Sequence, residues 1–408
     1  MNTPVDELRA LLPDGSPVDR AVGKARPEIA AILETALKGG EISTDDVPTL
    51  LRCEGDDLRA LIAAADHARH EDVGDEVTYV VNRNINFTNI CFVDCQFCAF
   101  KRHRLDEDAF DHGHDAILEK VQAAIDNGAT EICMQGGINP EMGEFHYRDI
   151  LVAIKTAFPQ IHMHAFSPME ILYGSRRAKM SFKDYLTMLR DAGLGSVPGT
   201  AAEILDDEIR EILSHKKVDV ATWVDIITTA HRVGLPTTST IMYGHVENLQ
   251  HIASHLGLLR DMQRETQGFT EFVPLRFIYE NTILYQKGLV KPSEQGAPDL
   301  RMYAACRLFF RGHIDNLQTS WVKLGHELSA FSLAAGVNDF GGTLMEESIS
   351  REAGADAGEY TTPEEMEALI RSMGRIPRQR NTLYGPVSIP NVSTVSENAS
   401  TPPSSVSA

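Results

Sequence analysis

Cysteine is scarce in this chain, with six in 408 residues. Three of them, Cys53, Cys133 and Cys306, lie far apart, which excludes the disulfide framework of a small secreted domain. Positive charge is also short: 38 Lys and Arg face 58 Asp and Glu, a net charge of −20. Most of the basic residues are arginine. Nucleic-acid binders neutralise phosphates with a basic surface, so this balance excludes a nucleic-acid partner. No apolar run reaches the roughly 20 residues of a membrane span. The N-terminal Met1-Asn-Thr-Pro-Val-Asp-Glu7 lacks the basic and apolar regions of a secretory signal. Together these absences predict a cytoplasmic protein that keeps clear of membranes.

What remains is an ordinary globular composition, 43% hydrophobic and 24% charged. The length accommodates one large α/β domain of the barrel type, roughly 250–300 residues, with additions. Residues 1–75 show short helical patterns such as Pro27-Glu-Ile-Ala-Ala-Ile-Leu-Glu34, a helical N-terminal extension packed on the main domain. Residues 76–385 alternate strand and helix patterns. Strands are predicted at 77–88, 130–135, 160–167, 194–198, 237–244, 270–278, 316–321 and 337–341. Apolar stripes such as Trp223, Ile226, Ile227 and Ala230 mark core-facing helices between them. That rhythm predicts a (β/α)8 TIM-type barrel, with a six-unit open barrel as the alternative. From residue 386 to 408 Ser, Thr, Pro, Asn and Val dominate, and a disordered tail is predicted.

The informative stretch is Asn84-Ile-Asn-Phe-Thr-Asn-Ile-Cys91-Phe-Val-Asp-Cys95-Gln-Phe97-Cys98. It reads as a strand entering a loop with cysteines spaced Cys-x3-Cys-x2-Cys. Three thiolates can hold three irons of a 4Fe–4S cube and leave the fourth iron open to a small molecule. A Cys3His zinc site with His103 is the alternative. The spacing, with Phe97 before the third cysteine, resembles that of radical S-adenosylmethionine (SAM) enzymes. The resemblance implies a 4Fe–4S cluster on Cys91, Cys95 and Cys98, with SAM chelated at the open iron.

Strand parity aims other residues at the barrel mouth, where such folds keep their active sites. Asn84 and Asn86 share one face of the first strand and are candidate substrate contacts; a structural plug is the other reading. Gln135 shares a face with Cys133 and is followed by Gly136 and Gly137, which let a ligand approach the backbone. In the resembled superfamily such a Gly-Gly pair meets the SAM amine. His162 and His164 point into the lumen; His162 reads as a packed histidine and His164 as a candidate for proton transfer. Glu203 is a candidate for the SAM ribose, with a helix-terminus carboxylate as its other reading. Tyr243 and His245 end the fifth strand and are candidate catalytic groups. Arg276 could pair with an amino-acid carboxylate. Asn338 and Asp339, on the last strand, are candidate substrate contacts.

The longer blocks narrow the likeness. Met134-Gln-Gly-Gly137, His164-Ala-Phe-Ser-Pro-Met-Glu170, Pro198-Gly-Thr-Ala-Ala-Glu203, Met242-Tyr-Gly-His245, Gln318-Thr-Ser-Trp-Val-Lys-Leu-Gly325 and Gly341-Gly-Thr-Leu-Met-Glu-Glu347 resemble the hydroxyphenyl transferase half of FO synthase. Ile138 stands where many radical SAM enzymes carry an acidic residue. This resemblance implies cleavage of L-tyrosine at Cα–Cβ and transfer of its 4-hydroxybenzyl group to 5-amino-6-(D-ribitylamino)uracil, a step towards a deazaflavin coenzyme. It also implies a reduced ferredoxin-type electron donor and a separate ring-closing subunit. Two alternatives remain: a sister enzyme of menaquinone synthesis (aminofutalosine synthase or the futalosine cyclase), and a zinc-stabilised binding protein.

Overall fold

The structure, a computed structural model, describes residues 2–387. The β-branched run Val77-Thr-Tyr-Val-Val81 opens the barrel. Its strand continues on both sides of Val81, as β1 (Glu76–Val80) and β2 (Asn82–Ile85). β3 (Glu131–Met134), β4 (His162–Ala165), β5 (Thr237–Tyr243), β6 (Phe269–Arg276) and β7 (Asp339–Gly342) follow in chain order. β2 pairs β3, β3 pairs β4 and β5 pairs β6, all parallel.

Two positions of the ring are held by a pair of residues each. Ser196 and Val197 bridge His164 of β4 to Thr237 of β5, while Leu317 and Gln318 bridge Phe272 of β6 to Asp339 of β7. β7 then returns to β1. The circle closes with eight positions, so the predicted (β/α)8 barrel forms rather than the six-unit alternative. All eight predicted strand regions coincide with a position in the ring.

The intervening helices follow from their caps and stripes. Helix Val220–Arg232 starts where the Asp219 carboxylate accepts the Thr222 N–H at 2.7 Å. It buries Trp223, Ile226, Ile227 and Ala230 against the barrel, a spacing of three and four that keeps one face inward. Truncating Trp223 to alanine costs about 3–5 kcal/mol on that account.

The N-terminal helix Gly55–Val73 lies against helix Ala297–Phe310, and helix Pro27–Leu37 packs on Gly55–Val73. Arginines from the barrel side donate to carbonyls of the extension: Arg301 to Cys53 (2.8 Å), Arg260 to Ile42 (2.7 Å) and Arg311 to Ala36 (2.8 Å). The last helix of the extension stops at Val73, and β1 starts at Glu76.

At the other end of the chain, β8 (Ile376–Gln379) pairs with β1 and carries Arg380 into the lumen. There Arg380 meets Asp339 (2.5 Å) and Glu271 (3.3 Å), and the Tyr384 hydroxyl also donates to Glu271. Burial pushes the Glu271 carboxyl up to about 7. This polar plug closes the end of the barrel opposite the cysteines. The tail predicted over 386–408 lies outside the described residues from 388 onward.

Candidate active site

The C-terminal ends of the strands enclose a cavity of about 390 Å³. Cys91, Cys95 and Cys98 line it together, on the loop that leaves β2. None of the three is in a disulfide. The Cys98 N–H donates to the Cys95 carbonyl at 3.2 Å, a turn that folds the two thiols to one side. Burial pushes the Cys95 thiol up to about 12 and raises that of Cys91. Such a thiol stays protonated until a metal or another electrophile displaces the proton. Three free thiols on one loop at Cys-x3-Cys-x2-Cys spacing are a donor set that suits an iron–sulfur cluster. His103 is exposed and outside the cavity lining. Among the described residues no group of three or more His, Cys, Asp and Glu, the three cysteines included, is already set at metal-binding distances, and His103 does not join the cysteines in the lining, as a Cys3His zinc site would need.

Gly136 and Gly137 line the same cavity and press against the cysteine loop. A Cβ on Gly137 would stand 2.3 Å from the Ile90 carbonyl oxygen, and one on Gly136 would stand 2.5 Å from the Phe87 ring. The Gly137 N–H donates to Thr88 at 2.8 Å, and the Gly136 N–H donates to the Glu170 carboxylate at 3.1 Å. Among the described residues the carbonyls of Gly136 and Gly137 accept no hydrogen bond, so they remain available to an ammonium donor. Gln135 takes the Thr200 hydroxyl on its amide oxygen at 2.8 Å.

Glu203 lines the cavity with its backbone in the left-handed region, φ 43°, as has Ala201 at φ 60°. Non-glycine residues there cost of order 1 kcal/mol each, and such strain gathers at functional loops. The Glu203 carboxylate is held by Lys217 at 2.7 Å and Arg210 at 3.5 Å, and the helix begins later, at Asp207. Burial alone would depress the Lys217 ammonium, but the Glu203 carboxylate beside it holds its pKa above the usual lysine value. The same ammonium lies 5.0 Å from the centre of the Phe97 ring.

Asn84 lines the cavity and donates to Glu347 at 2.8 Å. Asn86 donates to the Gln135 carbonyl at 3.0 Å, and its own side-chain oxygen is buried without a partner. In register, Asn84, Cys133 and His164 form one layer across β2, β3 and β4. Cys133 reaches the cavity, whereas His164 is not in its lining. His164 is hydrogen-bonded through Nδ1 to Ser196 at 2.7 Å, burial depresses its pKa to about 4, and His162 shares the same hydroxyl.

The other candidates fall into two groups. Arg276 is in the lining, but its terminal nitrogens go to Asp299, Ser293 and Glu294. Tyr243 donates to Asp299 at 2.7 Å, and His245 is engaged by Met242 and Glu247 beside the cavity. Asn338 serves Arg307 and Leu317, and Asp339 belongs to the plug with Arg380. Neither lines the cavity.

Sequence reasoning passed over Glu170, Lys217, Glu347 and Lys323, all of which line it. Glu170 had a legible signal. Ser167-Pro-Met-Glu170 is a capping box, and it places the carboxyl under the Gly136 N–H, where burial pushes it up to about 7.

The family models match in two blocks: the Radical SAM superfamily over residues 85–259 and the CofH/MqnC C-terminal region over 266–393. The 5-amino-6-(D-ribitylamino)uracil–L-tyrosine 4-hydroxyphenyl transferase of Methanothermobacter thermautotrophicus is 49% identical over 343 residues, which cover 84% of this chain and 94% of that one. The chain belongs to this radical SAM family. FO synthase of Streptomyces coelicolor is 47% identical over 88% of this chain, which spans only 41% of that longer protein. Among solved structures, methylornithine synthase superposes with a TM-score of 0.67 at 18% identity, covering 85% of this chain and 97% of that one. The FeFe-hydrogenase maturase HydG from Carboxydothermus hydrogenoformans gives 0.67 at 14% identity, over 94% and 87%. These two share the fold. In the family the three-cysteine loop is the signature of a 4Fe–4S cluster and SAM, and here it lies against the Gly-Gly strand end.

Proposed function

We propose that this protein transfers the 4-hydroxybenzyl group of L-tyrosine to C5 of 5-amino-6-(D-ribitylamino)uracil. The single observation that carries the reading is the convergence of Cys91, Cys95 and Cys98 with Gly136 and Gly137 on one cavity, in a chain of this family. The residues present would hold a 4Fe–4S cluster on the three thiolates. The cluster would supply one-electron reductive cleavage of SAM to methionine and a 5′-deoxyadenosyl radical.

The chain's own part is to bind, orient and exclude water. The carbonyls of Gly136 and Gly137 would accept the SAM amine, with Glu170 fixing their strand end from behind through the Gly136 N–H. Lys217 locks Glu203 and the strained loop behind Cys95, and Phe97 shields the same side. The barrel walls and the plug keep bulk water from a primary carbon radical, which would otherwise be lost to side reactions. Asn84, Gln135 and Thr200 offer polar edges for a ribityl chain and a uracil ring.

A reduced ferredoxin-type protein is the electron donor this reading expects, and a separate protein completing ring closure is the expected partner. A cytoplasmic location follows from the same reading. No helix of the described residues is long and apolar enough to cross a membrane. The test is anaerobic incubation of the reconstituted protein with SAM, a reductant, tyrosine and the aminouracil, followed by mass spectrometry. The reading expects the coupled 4-hydroxybenzyl product. Turnover of futalosine-type precursors instead would replace it with the menaquinone alternative.

A further inference from the structure

Four cationic side chains line the cavity: Lys101, Lys217, Arg276 and Lys323. Three are neutralised within the protein. Lys101 is paired with Asp94, Lys217 with Glu203 at 2.7 Å and Arg276 with Asp299 at 3.0 Å. Among the described residues Lys323 has no carboxylate within ion-pair distance. Its ammonium donates to the Ser350 hydroxyl at 3.0 Å, which uses one of three N–H donors. Glu347, the nearest acidic neighbour on this wall, spends its oxygens on the Asn84 amide and the Ser350 N–H, each at 2.8 Å.

The position of Lys323 is set by the fold. It follows the short strand position at Leu317–Gln318, on helix Trp321–Leu324, whose indole N–H is fixed to the Gly342 carbonyl at 2.8 Å. Ser320, Val322 and Lys323 reach the cavity from that wall, and the cysteines reach it from theirs. Lys323 is half-buried, and only the Glu347 carboxylate, beyond ion-pair distance, acts on its charge, so an anion delivered by a ligand would supply the direct partner it lacks. Burial lowers the lysine's pKa, and an arriving carboxylate would favour its charged form.

Resting on the reading above, we propose that Lys323 anchors the α-carboxylate of the amino-acid substrate, the role that sequence parity offered to Arg276. The two uncommitted N–H groups of Lys323 then donate to the carboxylate oxygens, and the Cα–Cβ bond is held out over the cavity. Arg276, tied to Asp299, Ser293 and Glu294, builds the wall.

Binding by calorimetry to the reconstituted protein tests this, with tyrosine and tyramine as probes. Tyramine is tyrosine without its carboxylate. Wild type is expected to hold tyrosine at least tenfold tighter than tyramine. A charge-assisted hydrogen bond contributes about 1.5–3 kcal/mol, which is roughly 10–150-fold in affinity. Lys323→Met is expected to weaken tyrosine by that factor, leave tyramine within about threefold, and so erase the preference. Lys323→Arg, which keeps the charge, is expected to recover most of it, a rescue that a merely structural lysine would not show. Persistence of the preference in Lys323→Met overturns the proposal, as does equal weakening of both probes. A wild type that fails to distinguish the probes overturns it as well. Product formation by wild type is scored separately: product with an unchanged preference in Lys323→Met sinks the anchor alone, and no product from tyrosine sinks the reaction assignment.

Discussion

Gly137 lies so close to Ile90 that a Cβ there would stand 2.3 Å from the Ile90 carbonyl oxygen. The Gly136–Gly137 strand end and the loop that carries the cysteines are thereby packed backbone to backbone. Gly137→Ala must push the loop away, because a carbonyl cannot yield as a side-chain tip can. We expect iron content after reconstitution to fall by at least half and the folded state to lose about 1–3 kcal/mol, the usual scale of overpacking. Gly136→Ala meets the Phe87 ring instead. Iron analysis and urea unfolding of both variants check this; a Gly137→Ala protein with full iron content would contradict it.

Cys95 is half-buried in a loop outside the barrel ladder, and desolvation pushes its thiol up to about 12. Cys95→Ala should abolish 5′-deoxyadenosine formation, since two remaining thiolates cannot hold the cube. The far-ultraviolet circular dichroism of the barrel should stay as in wild type. Because metal loading must expel thiol protons, reconstitution of wild type should also slow as pH falls from 8 to 6.5. Rates of absorbance growth near 400 nm over that range measure it, and a pH-independent rate would count against thiolate ligation.

Glu203 is the counter-ion of two buried cations, Lys217 and Arg210. Glu203→Gln leaves both without a full negative charge, and breaking such a buried pair costs about 3–5 kcal/mol. A double-mutant cycle with Lys217→Met reads the coupling in denaturant midpoints. A coupling below about 0.5 kcal/mol would show that the pair does not hold the loop.

His255 joins the site loop to β5. It accepts the Leu205 N–H at Nδ1 (3.0 Å) and donates from Nε2 to the Thr240 carbonyl (3.0 Å), an arrangement open only to the neutral ring. Burial depresses its pKa to about 3. The unfolded chain takes up this proton near pH 6.5, so the contribution is whole above 6.5 and is lost as pH falls towards 3. Its full size is about 5 kcal/mol by linkage. His255→Gln keeps both hydrogen bonds without titrating, and it should lose less stability than wild type between pH 6.5 and 4. Parallel urea midpoints at these two values decide it; equal losses would contradict the assignment.

The barrel was legible because its strand–helix rhythm is strong and local. Even Ser196–Val197 and Leu317–Gln318, reduced to two-residue bridges, fall within the strand regions predicted at 194–198 and 316–321. The cysteine loop was legible because chemistry fixes its spacing. Parity also placed Asn84, Gln135 and Cys133 on the lumen side. It could not say how deep each lies, and depth is what separates Asn84 at the cavity from Asp339 in the plug. Nor could it show which charges are already spent. Arg276 and Lys323 look equally available as letters, yet Asp299, 23 residues beyond Arg276, claims the former. Lys217 carried no local signal, since its role depends on a long-range approach to Cys95 and Glu203.

The most direct measurement is metal and sulfide analysis of anaerobically reconstituted protein, with electron paramagnetic resonance of the dithionite-reduced sample before and after SAM. The account predicts about four irons and four sulfides per chain, and a spectrum that shifts when SAM binds the open iron. About one zinc with no iron, or a cluster signal indifferent to SAM, would contradict it.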